Sequence, residues 1–167
     1  MNLCFRGIYS IKRPQGPYYI PHGEFPIVFT NIDVTNVFCI NSTTKENICL
    51  VDNKSKFLAH TSHWYRFEIG VHVMNSYNTS ETSWPGIDVK ENKTDGSDPE
   101  IIRQFRDYTP YDEYNGRRYN TRRYMVYKFD HYMDPGTTLW LENLHRNTIV
   151  TGPEQYKFTL MAYQYYK

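Results

Sequence analysis

A chain of 167 residues is one domain's worth, long enough to bury a proper core. Its 19 basic side chains stand against 18 acidic ones, and a formal net charge of +1 excludes any whole-molecule electrostatic case for nucleic acid or a membrane surface. The unusual feature is the aromatic content of 17%, carried by 16 tyrosines, a residue suited to half-buried sheets and subunit contacts where one end of the ring is dry.

In chain order, residues 1–22 read as an extended N-terminal segment. The start "MNLCFRGIYSIKRPQG" lacks the apolar stretch of roughly 7–15 residues that an export signal needs, so an intracellular product, or the folded part of something longer, is expected. Nothing in the chain approaches membrane-spanning length. Weak strands are expected at "GEFPIVFTNI", "NVFCI" and "KFLAH". The best strand follows in "WYRFEIGVHVM", where Tyr65, Phe67, Ile69, Val71 and Val73 alternate with Arg66, Glu68, Gly70 and His72. Residues 75–99 are polar and turn-rich and read as a long exposed loop with room for one short strand. In "DPEIIRQFRDY" the apolar residues Ile101, Ile102 and Phe105 suit about two helical turns, capped by Asp98 with Pro99 at the first helical position.

Farther on, "RRYMVYKFDHYM" is apolar on both faces, as expected of a strand covered on both sides. "TTLWLENL" is a short apolar run opened by the turn signal Asp134–Gly136. "QYKFTLMAYQYYK" alternates again, with Tyr156, Phe158, Leu160 and Ala162 on one face and Lys157, Thr159, Met161 and Tyr163 on the other. Tyr65 to Val73 and Tyr156 to Ala162 are therefore expected to share one core. No repeat and no second domain is visible, and the whole chain, 1–167, reads as one all-β domain of seven to nine short strands, a sandwich or jelly roll.

Chemistry is sparse. Of the histidines His22, His60, His63, His72, His131 and His145, only His60 and His63 are close, without a third ligand nearby, and His72 reads as solvated. Asp88, Glu91, Asp95 and Asp98 lack the spacing of a calcium loop and alternate with lysines. No nucleophile motif or phosphate-cradling glycine loop occurs, so no catalytic residue, no metal and no cofactor is expected, and the chain is not expected to be an enzyme. Cys4, Cys39 and Cys49 are an odd count without metal spacing; free thiols are expected, with Cys39–Cys49 as the alternative pairing. Four Asn-x-Ser/Thr sequons stand at Asn41, Asn53, Asn78 and Asn92, where random placement of the 13 asparagines would give roughly two.

One local anomaly is basic. Arg103, Arg106, Arg117, Arg118, Arg122 and Arg123 face only Asp107, Asp112 and Glu113 over the same span. Arginine forks suit phosphate, and Tyr114, Tyr119 and Tyr124 between them offer faces for unpaired bases, which makes Arg117, Arg118, Arg122, Arg123 and Tyr119 the candidate nucleic-acid-binding set. The plainer account has Asn115-Gly116 forming a tight turn whose arginines are solvated or pair with neighbouring acids.

Tyr108, Pro110 and Tyr111, then Leu139, Trp140 and Leu141, then Tyr156 to Tyr165 form an ordered pattern, preceded by "FTNIDV" and "WYRFEIGVHV". Over about residues 25–167 this pattern resembles the capsid proteins of circoviruses and related small circular single-stranded DNA viruses. The resemblance implies a single antiparallel eight-stranded jelly roll of viral capsid type. It implies self-assembly into a small icosahedral shell around a single-stranded DNA genome, and location in the virion and, during assembly, the host nucleus. Partners would be further copies of the chain, the DNA and a host receptor reached through exposed loops. Such capsid proteins open with an arginine-rich arm, whereas this chain opens with only Arg6, Lys12 and Arg13. The competing all-β readings are a tumour-necrosis-factor or complement-type trimer, a secreted ligand that suits the four sequons but not the missing export signal, and a viral spike or fibre head binding a receptor through its long loops.

Overall fold

The computed structural model describes residues 1–9, 18–19, 23–33, 41–44, 48–75, 86–106, 112–114, 117–119, 121–143, 149–151 and 158–165. Among them the strands are β1 (Asn2–Tyr9), β2 (Tyr18–Tyr19), β3 (Asn31–Asp33), β4 (Leu50–Val51), β5 (Lys56–Leu58), β6 (His63–Asn75) and β7 (Gly86–Asn92). They continue with β8 (Glu100–Arg106), β9 (Asp112–Tyr114), β10 (Arg117–Tyr119), β11 (Thr121–Met133), β12 (Thr138–Asn143), β13 (Ile149–Thr151) and β14 (Phe158–Gln164). Every pairing is antiparallel.

Strand β6 organises the larger, seven-stranded sheet because its alternation leaves one face for a core and its length leaves room for three partners. Along one edge it pairs with β11 from Met133↔His63 to Thr121↔Asn75. Along the other it pairs first with β14 and then with β13. Beyond β14 lie β1 and β3, and beyond β13 lies β2. A second sheet has the order β4-β5-β12-β7-β8, and β9 pairs β10 as a separate two-stranded ribbon. Neighbours distant in sequence, as β1 beside β14, are the mark of a jelly roll rather than a meander.

The core lies between the two sheets. From the larger come Tyr65, Phe67, Ile69, Val71, Phe129, Leu160 and Ala162, all buried; from the smaller come Phe57, Ile87, Val89, Leu139 and Leu141. The expected shared core of Tyr65–Val71 with Leu160 and Ala162 is present, while Val73, Tyr156 and Phe158 have side chains outside the described residues. Phe57 meets Phe67 edge-on across the two layers at 5.3 Å, and Phe67 stacks on Phe129, its partner within the larger sheet, at 5.1 Å. Each such side chain contributes about 1.5–3 kcal/mol through burial, and each favourable ring pair roughly 0.5–1.5 kcal/mol more.

Two expectations are corrected. Residues 100–106 form strand β8 rather than a helix, pairing β7 from Gly86↔Arg106 to Glu91↔Glu100 with a bulge at Val89/Lys90. The preceding turn is closed by Asp95, which accepts from the Ser97 amide at 2.9 Å, so the chain arrives at Glu100 already aligned with β7. Pairing places Phe105 over Tyr127 at 4.7 Å, a contact that the helical alternative would forgo.

Residues 75–99 do contain the one short strand for which the sequence left room, but that strand is buried rather than exposed. Asn75 ends β6, residues 76–85 lie outside the described set, and Gly86–Asn92 is a buried strand; only 93–99 are exposed throughout. Its charges misled the reading because they are paired, not solvated: Asp88 accepts from Arg106 at 2.6 Å, and Glu91 from His131 at 2.8 Å.

Candidate interaction face

Strand alternation that sends Phe67 and Ile69 inward sends Trp64, Arg66, Glu68, Gly70 and His72 to the opposite face of the larger sheet. Register then brings an outward residue of β11 beside each: Tyr132 opposite Trp64, Asp130 opposite Arg66, Lys128 opposite Glu68, Val126 opposite Gly70 and Tyr124 opposite His72. From β14, Met161 stands opposite Glu68 and Tyr163 opposite Arg66.

The middle of this face is charged but internally paired. Arg66 donates through Nε to Asp130 Oδ1 at 2.9 Å and through a terminal nitrogen to Oδ2 at 3.3 Å. Tyr165 donates its hydroxyl to the same carboxylate at 2.8 Å and lies beneath the Arg66 guanidinium at 5.6 Å. Lys128 stands 3.5 Å from Glu68. The Arg66 fork, helped by the Tyr165 hydroxyl, holds the Asp130 carboxyl below its usual range, and Asp130 in turn raises Arg66. Burial, followed by the charge of Glu68, pushes the Tyr163 hydroxyl up.

Either side of the charged middle is aromatic. Trp64 and Tyr132 meet edge-on at 5.8 Å, and Tyr124 covers His72 at 4.9 Å. His72 is thus half-buried rather than solvated, and burial lowers its pKa. Tyr124 comes so close because Gly70 has no side chain: a Cβ there would stand 2.5 Å from the Tyr124 hydroxyl oxygen. Yet Trp64, Tyr124, Val126 and Tyr132 are 54%, 57%, 43% and 46% exposed, large apolar groups left open to water. The expectation that β11 is covered on both sides therefore fails within one chain; its outward face is bare.

Of the nucleic-acid set, Arg117, Arg118 and Tyr119 form β10, opposite Tyr114, Glu113 and Asp112 of β9. Arg122 and Arg123 open β11, opposite Met74 and Val73. The backbone thus divides the four arginines between two sheets, and their side chains lie outside the described residues. His60 and His63 turn to separate partners, the carbonyls of Ile48 and Trp64. Among the described residues no group of three or more His, Cys, Asp or Glu side chains is placed to hold a metal ion. Cys4 and Cys49 are buried, and Cys39 lies outside the described residues.

What sequence reasoning missed is a ladder of ions on the far face of the smaller sheet. Glu142, 3% exposed, accepts from the Trp140 indole at 3.0 Å; Lys90 stands 3.1 Å from its other oxygen, close enough to attract although no donor is aligned there. Register alone places Lys90 opposite Trp140 and Asp88 opposite Glu142, so β7 read as a strand would have revealed it.

The class is an all-β jelly roll of two antiparallel sheets, and solved structures share it. No protein-family model and no curated protein matches the chain. The globular domain of zebrafish complement 1qA protein superposes with a TM-score of 0.53 at 10% identity, over 98% of this chain and 97% of that one. Eiger TNF from S. frugiperda superposes at 0.63 and 10% identity, over 100% of this chain and 95% of that one. At such identity the likeness is one of fold.

Proposed function

We propose that this chain is a trimeric recognition module of the complement and tumour-necrosis-factor kind, associating through the outward face of the larger sheet and binding a protein receptor through its loops. The observation that carries the reading is the exposed set Trp64, Tyr124, Val126 and Tyr132 around charges already paired within the subunit. Identical copies bring identical charges together, so a face of unpaired like charge would repel itself, whereas a neutralised face with aromatic flanks would not. Both solved structures above carry complement and tumour-necrosis-factor names, which supports this reading over the shell, while the partner number of three is part of the proposal. The role is one of binding, with no catalytic step.

A shell subunit that encloses single-stranded DNA within a virion is the second reading, and the ordered C-terminal pattern favours it. Part of that pattern has a simpler origin: Leu139 and Leu141 fill the core while Trp140 covers Glu142, as a central jelly-roll strand requires whatever it assembles into. Register also sets Arg118 across from Glu113, which favours charge pairing inside the ribbon over phosphate binding. Neither solved structure above is a capsid protein.

Sedimentation separates the readings. The trimer reading expects a species of three chains, converted to monomer by Trp64→Glu with Tyr132→Glu while the circular dichroism spectrum stays that of a sheet protein. Large hollow particles that incorporate DNA would establish the shell instead, and monomer at every concentration would sink both.

A further inference from the structure

We propose that Asn41 and Asn53 are sites of N-linked glycosylation. Both head sequons, Asn41-Ser42-Thr43 and Asn53-Lys54-Ser55, and both are exposed at turns of the β3–β4 and β4–β5 connections. At Asn41 the side-chain oxygen accepts from the amides of Thr43 and Thr44 at 2.9 and 3.0 Å. These bonds engage the carbonyl oxygen and leave the amide nitrogen, the atom that takes the glycan, outside the turn's own hydrogen bonds. The same turn brings the backbone of Thr43, whose hydroxyl the sequon requires, onto the acceptor side chain.

Asn53 is the central residue of three successive left-handed residues, Asp52, Asn53 and Lys54, with φ of 51°, 57° and 63°. This lifts its side chain to the tip of the β4–β5 turn. Ser55 is buried, with its hydroxyl bound to Asp52 at 2.7 Å, so transfer there precedes folding; the finished fold has only to leave room for the glycan. Asn92 suits the modification less, being half-buried in β7 opposite Thr138, and Asn78 lies outside the described residues. Asn53 also belongs to the turn between two strands of the smaller sheet, off the outward face of the larger one, which a glycan would block.

In the reaction the amide nitrogen attacks the anomeric carbon of an oligosaccharide activated as its lipid-linked diphosphate. The nitrogen–carbon bond forms, the carbon–oxygen bond to the diphosphate breaks, the diphosphate leaves with the electron pair, and the amide proton passes to a base of the host transferase. The proposal shares with the trimer reading only the need for export.

The test translates the full chain behind a cleavable export leader into microsomes, where protection from added protease reports entry whether or not a variant folds. Peptide N-glycosidase, which turns each modified asparagine into aspartate, marks the sites for mass spectrometry. The expected result is aspartate at 41 and 53, with one glycan lost in Asn41→Gln and in Thr43→Ala, and one in Asn53→Gln. Protected chains unmodified at both positions would overturn the proposal. Sedimentation of the same material keeps the readings apart, since an unmodified trimer sinks only this proposal and a glycosylated monomer sinks only the other.

Discussion

His131 reaches from β11 to Glu91 on β7, joining the two sheets by one 2.8 Å hydrogen bond. Glu91 is only 5% exposed, so removing its partner would leave a carboxylate buried and unsatisfied. His131→Leu should therefore cost about 2–3 kcal/mol, read as a lower urea midpoint at unchanged slope, and Glu91→Gln should soften that loss because an amide needs less compensation. Asp130 gives a pH signature. Its folded-state pKa lies below the ordinary Asp value because of Arg66, so its contribution is present above about pH 4 and is lost as pH falls through the lower folded value. The wild-type chain should lose stability over that acid range, and Asp130→Asn should be less stable at neutral pH with a flatter acid limb. Equal acid slopes in the two proteins would show that the pair contributes nothing, as exposed pairs sometimes do.

Elements with clean alternation were legible, since β6 and β14 carry one apolar face each and nothing competes with the period. Strands β7 and β8 were not. In β7 the apolar Ile87 and Val89 are interleaved with charges whose partners, Arg106 and His131, sit 18 and 40 residues away, a distance no local pattern reveals. In β8 a capping signal and a short apolar cluster favoured a helix that only tertiary pairing could overrule. The edge of β8 also shows how an open strand is kept from pairing further: Arg103 donates to the Ile102 carbonyl at 2.7 Å and Arg106 to that of Phe105 at 3.1 Å. The β4–β5 turn carries local strain, because Lys54 holds a φ of 63° that a side chain disfavours. Lys54→Gly should raise stability by up to about 1 kcal/mol, seen as a higher melting temperature, whereas Lys54→Val should lower it.

At the scale of the molecule, the fold class was readable and the interaction face was not. The outward residues of β6 and β11 gain meaning only from their mutual register, which brings Trp64 to Tyr132 and Arg66 to Asp130 across 68 and 64 residues of chain. The same non-locality should make refolding slow, in milliseconds to seconds, followed by tryptophan fluorescence after dilution from denaturant; full amplitude in microseconds would contradict the topology. The order of synthesis sharpens this point. Both strands that flank the first half of β6, β11 and β14, follow it in the chain, so on a ribosome the central strand emerges with neither edge satisfied. The backbone groups along the second edge of Tyr65 to Gly70 then stay unpaired until the chain as far as Gln164 has emerged, because β14 closes that edge. Through that interval the nascent chain is a sticky ribbon, and its yield in a cell depends on what holds it apart from its neighbours until its partner strands arrive.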